Sequence, residues 1–120
     1  MEQNKYDYLT NEPINTVIGS GAKFHGEFEL DGSLRIDGTF SGSIRSQGKV
    51  IVGTSGHVKT NINARFVIVA GQVDGNIYAL DGVHLMKNAK VFGDIISGNL
   101  IVDDGVVFEG RAKINSQTSS

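Results

Sequence analysis

The sequence predicts an all-β fold of the parallel β-helix type, a ribbon wound through stacked and nearly identical turns. Three observations predict it. Apolar and polar residues alternate with the period of two that strands require, and no segment places apolar residues at the i, i+3, i+4, i+7 spacing of a helix. A pair of alternating strips recurs six times, at a period of about 17 residues, between Thr16 and Ile114. Proline occurs once, at Pro13, so residues 14–120 are free of a residue that strands paired on both sides exclude.

Residues 1–15, MEQNKYDYLTNEPIN, are polar and are expected to form a flexible N-terminal tail. The β-helix domain is expected over 16–114. Its first turn joins TVI (16–18) to FHGEFEL (24–30) through the five residues GSGAK, and Asp31-Gly32 closes it. The second joins LRI (34–36) to FSGSIRS (40–46) through only three, DGT. The third runs from VIV (50–52) through GTSGH to VKTNINA (58–64), and the fourth from VIV (67–69) through AGQ to VDGNIYA (73–79). The fifth runs from VHL (83–85) through MKNAK to VFGDIIS (91–97), and the sixth from LIV (100–102) through DDGVV to FEGRAKI (108–114). Glycine, asparagine and aspartate mark the corners because they accept positive φ or close a turn with their own side chains. Residues 115–120, NSQTSS, are expected to be a second flexible tail.

One such turn cannot bury an apolar face alone, whereas stacked turns share a continuous core. The alignment then predicts inward columns along the axis. One is Phe28, Ile44, Ile62, Ile77, Ile95 and Ala112, and another is Ile18, Ile36, Val52, Val69, Leu85 and Val102. The column Glu27, Ser43, Asn61, Asn76, Asp94 and Arg111 is wholly polar and reads as a solvated outer face. The recurring glycine, at 26, 42, 75, 93 and 110, is expected to point inward between two core side chains and to let the ribbon bend. No helix follows it, so it is not a phosphate loop. Left-handed β-helices keep a strict hexapeptide rhythm; the corner of variable length here favours a right-handed one.

Composition excludes several functions. A net charge of −2 provides no field for nucleic acid, and the lysines 23, 59, 87 and 90 lack interleaved aromatics. The absence of cysteine excludes disulfides and thiolate chemistry, and fits a reducing compartment. No apolar run nears the ~20 residues of a membrane-spanning helix, nor does the N-terminus carry the apolar stretch of a signal peptide, so a cytoplasmic protein is expected. The histidines 25, 57 and 84 fall in different columns and read as surface groups, giving no metal site. Asp31, Asp37, Asp81, Asp103 and Asp104 adjoin corner glycines, so turn chemistry accounts for them better than acid–base catalysis. No catalytic residue, cofactor or nucleotide is expected.

A stack of this kind has two open ends, and open strand edges are templates for further pairing unless capped. The first turn carries Phe24 and Phe28 and the last Val106, Val107 and Phe108, while neither tail reads as a capping helix. These five residues are the candidate interface for end-to-end assembly of the chain with itself. In the N-terminal tail, Lys5, Tyr6, Tyr8 and Leu9 are the candidates for contact with a membrane interface or a partner, opposed at an anionic surface by Glu2, Asp7 and Glu12.

The strips repeated in register over 16–114, beginning TVIGSGAKFHGEFELDGSLRIDGTFSGSI, resemble the bactofilins, a family of bacterial cytoskeletal proteins. Thr60 stands where glycine is expected and Ala112 where a branched residue is expected. The resemblance implies a triangular, right-handed β-helix whose copies join end to end, without nucleotide, into filaments lacking polarity. It also implies a scaffold for cell shape or envelope growth, with peptidoglycan-modifying enzymes or other envelope proteins as partners. Weak membrane attachment through the N-terminal tail at the inner face of the cytoplasmic membrane is implied as well. Two alternatives are a left-handed β-helix acyltransferase, which needs strict hexads and a catalytic histidine, and a monomeric β-solenoid binding module.

Overall fold

The computed structural model of the chain describes residues 14–115 and contains strands and turns but no helix among them. Every strand pairing is parallel, and residues pair with those one turn on. Ile18, Ile36, Val52, Val69, Leu85 and Val102 align in register, at steps of 18, 16, 17, 16 and 17 residues. The chain is therefore the expected β-helix of six turns, with three faces.

The first face is formed by β1 (Ile14–Ile18), β3 (Ser33–Ile36), β5 (Lys49–Val52), the second half of β7 (Ile62–Val69), the second half of β9 (Ile77–Leu85) and β12 (Leu100–Val102). The second face takes the first halves of β2 (Lys23–Leu30) and β4 (Thr39–Ser46), then β6 (His57–Lys59), β8 (Gln72–Asp74), β10 (Lys90–Phe92) and β13 (Val107–Glu109). The third face takes the remaining halves of β2, β4, β7 and β9, followed by β11 (Ile95–Ser97) and β14 (Ala112–Ile114). Each turn thus contributes one short strand to each face, and the apolar half of each strand closes a narrow central core.

The core is three columns deep. Ile36, Val52, Val69 and Leu85 on the first face, Phe40, Val58, Val73 and Val91 on the second, and Ile44, Ile62, Ile77 and Ile95 on the third are all buried. Each column is sealed in the middle of the stack, where every side chain has a neighbour above and below it.

The recurring glycine does not point into this core, as the alternation suggests. It sits at the corner between the second and third faces, where Gly42 is exposed, and its missing side chain faces the turn before it. A Cβ on Gly93 would stand 2.6 Å from the carbonyl carbon of Gly75, and one on Gly42 would stand 2.7 Å from that of Gly26. Both have positive φ, 153° and 124°. At these two glycines the backbone of the turn before passes too close to leave room for a Cβ. Thr60 occupies the column without positive φ, and its hydroxyl donates to the carbonyl of Gly42.

The polar column beside the glycines is also more than a solvated face. The Oδ1 of Asn61 accepts the amide of Asn76 at 2.9 Å, and the Oδ1 of Asn76 accepts that of Asp94 at 2.9 Å. The carboxylate of Asp94 accepts the amide of Arg111 at 3.1 Å. A ladder of side chains thus satisfies the backbone donors that the corner removes from the sheet.

One carboxylate outside this ladder gives a pH-dependent element. Asp74 is drawn upward by desolvation, but hydrogen bonds from Gln72 and His57 and the charges of His57 and Lys59 outweigh it and hold its carboxyl below the ordinary value. A depressed carboxylate stabilises the fold above the unfolded-state pKa and loses that contribution as pH falls through the folded one. Its side chain is 38% exposed, so solvent screening keeps the effect small. Asp74→Asn is expected to flatten part of the decline in melting temperature on acidification below about pH 4, while leaving the neutral-pH fold in place.

Candidate assembly interface

The same three columns that are sealed in mid-stack open at both ends. At the first turn Phe24 is 37% exposed, and Phe28 and Leu30 are half-buried against the core. Phe24 stacks on the buried Phe40 with ring centroids 5.1 Å apart and an interplanar angle of 16°, and Phe28 lies 5.4 Å from Phe24 and 6.1 Å from Phe40. Only Phe40 lies under a complete turn. The outer faces of the other two rings have no described turn above them.

At the last turn Phe108 ends the second-face column and remains half-buried, with Val106 packed beside it at the corner. Val102 ends the first-face column at 51% exposure, against complete burial for the equivalent Val52 and Val69. Ala112 and Ile114 end the inward positions of the third face and are exposed. Val107 belongs elsewhere: it aligns with Lys90 and Gln72 on the outward side of the second face, so it borders the end rather than filling it.

The backbone is open at the same places. Among the described residues β1 pairs only with β3 and β2 only with β4, while β12, β13 and β14 pair only with β9, β10 and β11. Each end therefore presents one edge of N–H and C=O groups with apolar side chains between them, which is the chemistry that joins one turn to the next inside the molecule.

Of the five predicted interface residues, the structure places Phe24 and Phe28 together at one end and Phe108 and Val106 at the other, with Val107 at the margin. Sequence reasoning missed Leu30, Val102 and Ile114. Extending each inward column to its terminal turn finds all three. Lys5, Tyr6, Tyr8 and Leu9 lie outside the described residues.

The histidines are dispersed. His25 Nδ1 lies 2.8 Å from the hydroxyl of Ser41, His57 Nε2 lies 2.7 Å from the carboxylate of Asp74, and His84 Nε2 lies 3.1 Å from that of Asp103. Among the described residues no three histidine or acidic side chains cluster as metal ligands would.

Comparison with known proteins places this architecture. The sequence profile of a family described as "Bactofilin: Polymer-forming cytoskeletal" matches residues 16–113. Bactofilin BacO of Myxococcus xanthus (strain DK1622) is 39% identical over 110 residues, spanning 92% of this chain and 87% of that protein. Bactofilin BacP of the same organism is 36% identical over 97 residues, spanning 81% of this chain but only 40% of the relative. Among solved structures, a Thermus thermophilus bactofilin, reconstructed by cryo-EM in double helical filaments, matches with a TM-score of 0.77 at 30% identity. That match covers 83% of this chain and 99% of the other.

Proposed function

Because this chain belongs to the bactofilin family of polymer-forming cytoskeletal proteins, we propose that it is a structural scaffold whose copies join end to end into filaments without nucleotide. The observation that carries the reading is the opening of all three core columns at both ends, each flanked by strand edges with one ladder vacant among the described residues. A second copy stacked on either end continues the ladder and covers Phe24, Phe28 and Leu30, or Val102, Val106, Phe108 and Ile114. The filaments lack polarity, in keeping with the family resemblance.

The scaffold acts without catalysis, in the cytoplasm and at the inner face of the cytoplasmic membrane. It organises cell shape or envelope growth by holding peptidoglycan-modifying enzymes or other envelope proteins along its sides. Contact with lipid or with a partner is assigned to the segment carrying Lys5, Tyr6, Tyr8 and Leu9.

Negative-stain electron microscopy of the purified full chain, with nucleotide removed, tests the central statement. Long unbranched filaments are expected. Particles that remain single at high protein concentration overturn it, and discrete trimers point to the acyltransferase-like alternative.

A further inference from the structure

We propose that two copies of the chain also pair side by side, third face to third face and running in opposite directions, with Leu80 of each copy packed on Arg65 of the other. The contact gains its strength by repetition along a filament and so rests on the end-to-end reading, but its apolar centre lies in mid-stack, away from the ends.

The starting observation is an exposed leucine that neither end accounts for. Among the described residues seven large apolar side chains are exposed, and six of them (Val17, Phe24, Ile101, Val102, Val107 and Ile114) lie in the first or last turn. Leu80 lies in the fourth turn and is the most exposed of the seven, at 69%. Its projection has a local cause. Between the pairs Ala64–Ala79 and Phe66–Gly82, β7 has Arg65 alone where β9 has both Leu80 and Asp81. The extra residue makes a bulge, and a bulge re-aims a side chain away from the sheet. Arg65 fixes the corner, its Nε and Nη2 donating to the Asp81 carboxylate at 3.1 and 3.0 Å. Leu80 is not isolated either. It stands at a cleft lined also by Arg45, Asn63, Tyr78 and Ile96, and the half-buried Tyr78 and Ile96 join it in one apolar patch.

The outward column of the third face identifies the occupant. From the first turn to the last it reads Glu29, Arg45, Asn63, Tyr78, Ile96 and Lys113. Its two extremes carry opposite charges. A two-fold axis crossing the face between the third and fourth turns sets the first turn against the partner's sixth, the second against the fifth and the third against the fourth. Glu29 then meets the partner's Lys113, the stem of Arg45 lies along the partner's Ile96, and Asn63 lies against the partner's Tyr78. At the corner, Arg65 in the third turn meets the partner's Leu80 and Asp81 in the fourth. Copies running in the same direction would instead set Arg45 on Arg45 and Lys113 on Lys113, which like charges oppose. The face is therefore complementary to itself in one direction only.

The size of the face sets where the pairing operates. Turns ~4.8 Å apart make a face ~24 Å long, and at a width of ~15 Å it buries ~700 Å² over both copies. That is below the ~1,200 Å² of a stable isolated pair. One such contact is weak, whereas a row of them along two filaments holds through multivalency.

By electron microscopy the full chain should form paired filaments. Leu80→Lys, which sets a charge against the partner's Arg65, should form single filaments at an unchanged assembly threshold and with an unchanged circular dichroism spectrum. Thr54→Lys, at the exposed corner between the first and second faces, should pair as the parent does. Single parent filaments, which would leave the face to a partner of another kind, overturn the proposal, and so do Leu80→Lys filaments that remain paired. A second measurement does not need filaments. The chain contains no cysteine, so single thiols report cleanly. Full-length Arg45→Cys and Ile96→Cys chains, mixed at high concentration with a short bismaleimide, should cross-link to each other several-fold faster than either does to itself. Opposed copies bring the second turn to the fifth, whereas like residues stay three turns, ~14 Å, apart along the axis. Equal rates, or faster cross-linking of like with like, overturn the proposal. If no filament forms, the end-to-end reading falls, and the cross-link alone then decides the lateral contact.

Discussion

Phe108→Arg should leave the β-helix folded and abolish its filaments. Phe108 ends the second-face column, beyond Val91, and is already half-buried without any described turn below it, so an arginine there can carry its guanidinium outward to water in the single chain. In a joint it has no such route. A joined turn makes ~6–8 backbone hydrogen bonds at ~1 kcal/mol each. It buries ~300 Å² of apolar surface, contributing ~7 kcal/mol. Against this, association costs ~4–15 kcal/mol in lost freedom. The surplus is a few kcal/mol, and an unpaired charge driven into the joint costs at least as much. Each ~1.4 kcal/mol lost weakens association tenfold, so the threshold for assembly should rise by a factor of ~100 or more. Sedimentation across a concentration series measures it, with circular dichroism confirming the β-rich fold. Phe24→Arg should do the same from the opposite end. Phe28→Arg should also lower the melting temperature, since Phe28 packs on both Phe24 and Phe40. If Phe108→Arg and Phe24→Arg both pellet as filaments at the parent's threshold, the ends are not the joints.

The turns were legible because a β-helix writes its core as columns. A side chain that is inward in one turn is inward in the next, so Ile36, Val52, Val69 and Leu85 announce one another from the sequence alone. What the columns could not convey was direction along the axis. The glycines at 42 and 93 looked like small residues in a crowded interior, whereas the crowding comes from the backbone of the turn before, a contact with a residue more than a dozen positions away. The ladder from Asn61 through Asn76 to Asp94 was hidden for the same reason: asparagine reads as solvent-facing until successive amides are known to lie beneath it. The end residues were half legible. Aromatic side chains drew attention to Phe24 and Phe108, while Val102 and Ile114 look like every other core valine or isoleucine and differ only in having no described turn after them. His84 alternates outward and reads as a surface group, yet it is buried, with its Nε2 3.1 Å from the Asp103 carboxylate of the next turn.

Gly93→Val should cost the fold more than any surface substitution, and the size of the loss tests why the column exists. The φ of 153° at Gly93 is one that branched side chains resist, at ~1–3 kcal/mol. The added Cβ would also stand 2.6 Å from the Gly75 carbonyl carbon and 3.1 Å from the Asn76 Oδ1. Neither can move freely, because Asn76 Oδ1 is holding the Asp94 amide and the Gly75 backbone is part of the corner itself. Forcing the turns apart adds ~1–3 kcal/mol in the manner of an overpacked core. The sum, ~2–6 kcal/mol, is a large part of the ~5–15 kcal/mol that holds a domain together. For a domain of this size ~3 kcal/mol corresponds to a fall of ~12–24 °C in melting temperature. Gly26→Ala separates the two causes. Its φ is also 153°, but in the first turn a Cβ would meet only the Phe24 ring, at an ordinary 3.5 Å. That variant should therefore lose only the conformational share. Equal losses for the two would show that backbone angle alone demands glycine here, and that the close passage of successive turns is incidental. A loss several times larger at Gly93 would show that successive turns pass here at a spacing a side chain cannot enter.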